Sequence, residues 1–111
     1  MIERYRFGEL VADGKRYTTD VVITPKGVNG WWRQEGHRVA VADLAPFLSS
    51  GPEVVVVGTG DSGLMEVLPE LRRYLEAQGI DLIAETTDKA CQTYNQLSGR
   101  QRVIAALHLT C

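Results

Sequence analysis

The sequence predicts a single α/β domain spanning residues 1–111, on three observations. Val54–Val57 is an apolar run without alternation, which a strand tolerates only when layers cover both of its faces, as in a parallel sheet. Beyond it the spacing of apolar residues changes from that of strands to the three-and-four spacing of helices, in two segments separated by further apolar runs. Before it lie short extended stretches divided by turn residues, among them Asp13-Gly14, a type I′ hairpin signal.

Taken in order, Tyr5–Phe7, Leu10–Ala12 and Arg16–Thr18 read as brief strands, the last two joined by the Asp13-Gly14 turn. Asp20–Thr24 is another strand, stopped by Pro25, which has no N–H for a ladder. Gly27, Asn29 and Gly30 punctuate the chain before Trp31-Trp32-Arg33, and Gly36 breaks it again before a strand at His37–Val41. Asp43 is placed to cap a short helix, Leu44–Leu48, which Ser49-Ser50-Gly51-Pro52 ends. Val54–Val57 is then the central strand, leaving through the turn Gly58–Gly63. Pro69 suits the first turn of a helix in which Leu71, Tyr74, Leu75 and Gln78 follow at helical spacing until Gly79. Ile80–Ala84 is a second buried strand. Thr87 is placed to cap a helix with Ala90, Tyr94 and Leu97 on its inner face and Gly99 past its end, and Val103–Leu109 is the third strand. Strand, helix, strand, helix, strand with short links implies right-handed crossovers and a three-stranded parallel core, which the N-terminal strands must extend or cover.

Composition narrows the function. Twelve Lys and Arg against 14 Asp and Glu give a net charge of −2, with no basic excess for nucleic acid. The apolar runs are far shorter than the roughly 18–20 residues that cross a bilayer, and Met1–Tyr5 holds no apolar signal core. The expectation is a cytoplasmic protein that binds neither nucleic acid nor membrane. Cys91 and Cys111 make no disulfide framework and read as reduced thiols, Cys91 a small buried hydrophobe and Cys111 terminal and exposed.

Gly58, Gly60 and Gly63 match the phosphate-binding fingerprint of dinucleotide folds, with Glu85 near the place of a ribose-binding carboxylate. That fingerprint requires a helix N-terminus directly behind the glycines. Pro69 sets the helix back by six residues from Gly63, and the chain supplies one βαβαβ half where the dinucleotide fold uses two. The loop Gly58-Thr59-Gly60-Asp61-Ser62-Gly63 therefore reads as the exit turn of a central strand, and no cofactor is expected. Gly60-Asp61-Ser62-Gly63 preceded by His37 and Asp43 also echoes a chymotrypsin-like nucleophile segment, but this serine follows a parallel strand and the chain is about half the necessary length. No catalytic residue is assigned. His37 and His108 lie in separate strands with no cysteine or carboxylate in register, so no metal is expected. Trp31 and Trp32 are adjacent on extended backbone and point to opposite faces. One indole can pack inward while the other lies over Arg33 or Arg38, or meets a partner.

The pieces Asp13-Gly14-Lys15-Arg16-Tyr17-Thr18, Trp31-Trp32-Arg33, Gly36-His37-Arg38-Val39, Val54–Gly60, Thr93-Tyr94-Asn95-Gln96-Leu97 and Ala105-Ala106-Leu107-His108-Leu109 together resemble a small α/β domain family of unknown biochemical function. Its members include the adipogenesis-associated domain-containing protein and mitochondrial complex I assembly factor 3, and the archaeal and bacterial single-domain branch is the most similar. The resemblance covers nearly the whole chain. It implies a three-layer domain with a mixed central sheet containing a βαβαβ core over about residues 54–109, plus an N-terminal antiparallel β layer. It brings no established reaction or catalytic residue.

The expected function is that of a non-enzymatic interaction domain, an accessory or assembly factor with an unidentified protein partner. Its candidate contact residues are Gly58, Thr59, Gly60, Asp61, Ser62, Gly63, Trp31 and Trp32. The alternative is a small-molecule-binding or catalytic domain with a pocket at the Gly58–Gly63 loop, lined by Thr59, Asp61 and Ser62.

Overall fold

A computed structural model describes residues 1–111. The first half holds β1 (Ile2–Arg6), β2 (Glu9–Ala12), β3 (Lys15–Tyr17), β4 (Val21–Thr24), β5 (Gly27–Gly30) and β6 (Arg38–Val39). There follow α1 (Val41–Leu44) with a 3-10 turn at Ala45–Phe47, β7 (Val54–Gly58), β8 (Glu66–Val67), α2 (Pro69–Ala77), β9 (Asp81–Glu85), α3 (Thr87–Leu97) and β10 (Val103–Leu107).

The central sheet has the order β5-β4-β10-β7-β9. It is mixed: β10, β7 and β9 run parallel, whereas β4 is antiparallel to β10 and β5 to β4. The strands β1-β2-β3 form a separate antiparallel sheet, and β6 pairs with β8 in a short parallel ladder. The middle of the central sheet belongs to β10, not to Val54–Val57 as the sequence suggested. Even so, β7 lies between two parallel neighbours and all its residues are buried.

Two-residue periodicity explains why these strands are apolar throughout. Val21, Ile23, Val54, Val56, Ala105 and Leu107 face one side, where Ile2, Leu10 and Ala12 of the N-terminal sheet and Ala90 and Cys91 of α3 cover them. Val22, Val55, Val57, Ile104 and Ala106 face the other, against Trp31, Val39, Leu44, Met65, Leu71 and Leu75. Each buried valine or leucine adds about 1.5–3 kcal/mol relative to exposure, so the two faces together define the three layers.

Several elements depart from the sequence reading. Gly27–Gly30, read as a turn, is strand β5, paired with β4 from Val21↔Gly30 to Thr24↔Gly27. It is an edge strand with a single ladder, where glycine weakens pairing least and Pro25 serves in the hairpin link. The helix after β6 starts at Val41 instead of Leu44. Asp43 lies within its first turn and caps backwards, its Oδ2 accepting the Ala40 N–H at 2.8 Å. Thr86, not Thr87, occupies the N-cap of α3. The adjacent threonines differ in their tertiary contacts: the Thr87 hydroxyl donates to the His108 carbonyl at 2.6 Å and accepts the Gly60 N–H at 2.9 Å.

Other local signals hold. Asp13 and Gly14 both have positive φ, 49° and 78°, as a type I′ turn requires, and they join β2 to β3. Asn95 on α3 acquires a physical role. The Asn95 amide accepts the Ile2 N–H at 2.9 Å and donates to the Ile2 carbonyl at 2.7 Å, fastening the N-terminal sheet to the helix.

Candidate functional site at the carboxyl end of the sheet

Strand direction decides what meets at one end of the sheet. The carboxyl ends of β10, β7 and β9 lie together, and the pairings Leu107↔Val21 and Val21↔Gly30 bring the start of β4 and the end of β5 to the same end. Asp20, Trp31–Arg33, Gly58–Gly63, Glu85–Thr87 and His108–Cys111 are thereby gathered where open α/β sheets place their ligands.

The densest feature is a polar cluster around Asp20. Its Oδ1 accepts the Leu109 N–H at 2.8 Å. Its Oδ2 takes the Arg33 Nη2 at 2.8 Å and the His108 Nδ1 at 2.7 Å. Burial pushes the Asp20 carboxyl pKa up, but the Leu109 N–H, His108 and Arg33 outweigh it and hold the group below its ordinary value. The side chains of Arg33 and His108 are only 5% and 8% exposed. Arg33 also donates to the Gly36 carbonyl at 2.8 Å and lies 4.4 Å above the Trp31 ring. The His108 ring is held through Nδ1, leaving its buried Nε2 without a hydrogen-bond partner. His37 meets His108 edge to face at 5.6 Å between ring centres, and its Nε2 is 3.8 Å from the Cys111 Sγ.

The arrangement overturns two expectations. His108 does have a carboxylate partner, supplied by Asp20, and Cys111 is half-buried and not exposed. No three of the histidine, cysteine and carboxylate side chains converge as metal ligands. No nucleophile stands within hydrogen-bond reach of His108 Nε2. What the cluster does is anchor the chain beyond β10: Asp20 fixes Leu109, and through it the segment against which the glycine loop folds.

That loop spends its amides internally. The N–H groups of Thr59, Asp61, Gly63, Leu64 and Met65 all find backbone carbonyls, and that of Gly60 the Thr87 hydroxyl. Gly60 has φ 105°, and a side chain there would meet the Cys111 carbonyl at 2.4 Å, so only glycine fits. The helix α2 begins at Pro69, away from the glycines. Glu85 is turned to α3, where its Oε1 accepts the Thr93 hydroxyl at 2.6 Å. Among these loop amides only that of Ser62 is left over, and a phosphate cradle needs a set of free amides at the N-terminus of the helix that follows. Beside the loop is an open groove of about 500 Å³. Thr59 and Gly63 line the groove with Met65, Arg72 and Ala84; Asp61 and Ser62 do not. Asp61 instead receives the Tyr5 hydroxyl at 3.4 Å.

The tryptophans separate as opposite-facing neighbours must. Trp31, grouped with Trp32 as a candidate contact, is only 3% exposed, and its indole N–H donates to the Asp43 carbonyl at 2.9 Å. The cation lies over this buried ring, not over the free one. Trp32 is 77% exposed and rests against Gly30; Leu64, at the same end of the sheet, is 60% exposed. The sequence reading missed Asp20 and Arg33 as site residues. The available signal was a histidine closing the apolar run from Val103 and a carboxylate directly before Val21, since a polar group beside a buried strand needs a partner.

The fold defines the class of this chain: a three-layer α/β domain with a mixed five-stranded sheet and an N-terminal antiparallel sheet. Within it, the chain belongs to a family described as "Protein of unknown function (DUF498/DUF598)", whose model matches residues 2–108. The family expected from the sequence is thereby borne out. The chain is 27% identical over 107 residues to NADH dehydrogenase [ubiquinone] 1 alpha subcomplex assembly factor 3 of Xenopus tropicalis, and 29% identical to that of Bos taurus. Both matches cover 95% of this chain but 58% of the relative, so the chain spans little more than half of their length. Among solved structures, a conserved hypothetical protein from Pyrococcus horikoshii OT3 superimposes with a TM-score of 0.87 at 30% identity, covering 100% of this chain and 99% of that one. No helix of this chain is long and apolar enough to cross a membrane.

Proposed function

We propose that this chain is a cytoplasmic, non-enzymatic interaction domain serving an accessory or assembly role, with Trp32, Leu64 and the Gly58–Gly63 loop as its contact surface. One observation carries the reading: relatives named as assembly factors align with 95% of the chain. The geometry is consistent with it. At the carboxyl end of the sheet the Asp20 carboxylate is occupied by Leu109, Arg33 and His108, while two large apolar side chains at that end face solvent. Exposed aromatic anchors are the usual hot spots of protein interfaces.

The test is to recover a tagged chain from its native cells, as wild type and as the Trp32→Ser/Leu64→Ser variant, after matching their thermal stabilities. The wild type is expected to elute well above its 12.3 kDa with a defined partner that the variant lacks. Identical elution of both forms overturns the assignment. The groove of about 500 Å³ favours a second reading, a small-molecule site at Thr59, Gly63 and Arg72. A thermal-shift screen of nucleotides and phosphosugars separates the two, because a ligand of the native state must raise its melting temperature.

A further inference from the structure

We propose that the free edge of β9 receives an extended segment of a partner protein, one carrying a basic residue at each end of a five-residue apolar strand. The central sheet ends on β9, which is paired only with β7. The Asp81 N–H donates to the Glu53 carbonyl at 3.0 Å, and the Glu85 carbonyl accepts the Thr59 N–H at 2.8 Å. Peptide groups alternate in direction along a parallel ladder, so the N–H and C=O groups of Leu82 and Ala84 point outward.

The other edges are blunted in the ways natural sheets use. Asn95 caps β1, Lys15 and Arg16 guard β3, and β5 is glycine-bearing with Trp32 lying against Gly30. β9 contains no glycine, proline, lysine or bulge, and its register with β7 is continuous from Val54↔Asp81 to Gly58↔Glu85. Its outward groups are a template for strand addition.

Charge identifies the occupant. Asp81, Ile83 and Glu85 share the face toward α3, while Leu82 and Ala84 share the face toward α2. Pairing the whole strand antiparallel with a second copy would set Asp81 opposite Glu85 at both ends, and like charges directly opposite are destabilising. A partner strand with Lys or Arg at both those positions answers the same charges, alone at Asp81 and, at Glu85, beside Lys89, whose Nζ lies 3.9 Å from the Glu85 Oε2. Its residues opposite Leu82 and Ala84 would point toward grooves of about 340 and 500 Å³ that lie on either side of Arg72.

The strand edge lies apart from Trp32, and Trp32→Ser is expected to leave binding unchanged, although the groove of about 500 Å³ beside it is also lined by Thr59, Gly63 and Leu64. The test uses a blocked peptide with the core Lys-Val-Ile-Val-Lys and its counterpart Glu-Val-Ile-Val-Glu, titrated into 15N-labelled protein at low salt. The basic peptide is expected to bind more tightly and to shift the Leu82 and Ala84 amide signals. The Asp81→Asn/Glu85→Gln variant is expected to weaken it about 2- to 30-fold, the range for two exposed charge pairs. Methylating both valine amides, which face β9, is expected to abolish binding, whereas methylating the isoleucine amide is expected to preserve it. Equal affinity for the two peptides, shifts confined to other strands, or no binding at millimolar peptide would each overturn the proposal.

Discussion

Replacing Asp20 by alanine removes the acceptor of three donors at once: the Leu109 N–H, the Arg33 guanidinium and the His108 ring. Arg33, at 5% exposure, would keep the Gly36 carbonyl, the His108 Nδ1 at 3.2 Å and the Trp31 face, with no anion to balance its charge. Breaking a buried pair by deleting one partner costs about 3–5 kcal/mol, out of a total stability of about 5–15 kcal/mol for a domain. With a urea slope of about 2 kcal/mol per molar, the midpoint falls by about 1.5–2.5 M. Urea unfolding followed by circular dichroism measures this directly. The effect also has a pH signature. The folded-state pKa of Asp20 is lowered, so its stabilisation is fully present above the unfolded value of about 4 and is lost as pH falls through the folded value. Wild type and variant should therefore converge below about pH 4. A midpoint change corresponding to less than about 1 kcal/mol at neutral pH, or a gap that persists unchanged into acid, would refute the anchoring role.

Gly60→Ala is expected to cost about 1–3 kcal/mol, because it combines positive φ with a backbone clash against Cys111; Gly14→Ala, open to solvent, should cost about 1–2 kcal/mol from strain alone. Thermal melts of the two variants side by side check the order. Asn95→Ala removes both hydrogen bonds to Ile2 and is expected to destabilise by about 1–3 kcal/mol, with hydrogen exchange accelerating first in β1 and β2. Burial, with Asp88 nearby, pushes the Cys91 thiol up to about 12, so at pH 8 an alkylating reagent should label Cys111 in the native protein and reach Cys91 only on unfolding. Mass spectrometry of the labelled peptides reads the result.

The legible part of the fold was the part dictated by local pattern. Four consecutive valines demanded cover on both faces, and Asp13-Gly14 could adopt the two positive φ values its hairpin needs. Misreadings occurred where tertiary contacts overrode local preference. Gly27 and Gly30 resembled punctuation until β4 supplied a ladder partner. Thr87 was read as the helix cap, but its hydroxyl is engaged by His108 and Gly60 and Thr86 takes the N-cap position. The candidate site was half legible: the glycine loop and Trp32 stood out by composition, whereas Asp20 and His108 lie 88 residues apart and meet only because β4 runs beside β10. Trp31 illustrates the limit of alternation, which assigned the two indoles to opposite faces without saying which was buried.

The central claim is that the carboxyl end of the sheet, presenting Trp32 and Leu64, is where this domain meets its partner. The most direct measurement places a photo-crosslinking amino acid at position 32, at position 64, or at the remote exposed position Arg100, and irradiates native cells. A discrete adduct with one common protein from positions 32 and 64, and none from position 100, is the expected result. The same adducts from all three positions, or none from 32 and 64, would contradict the claim.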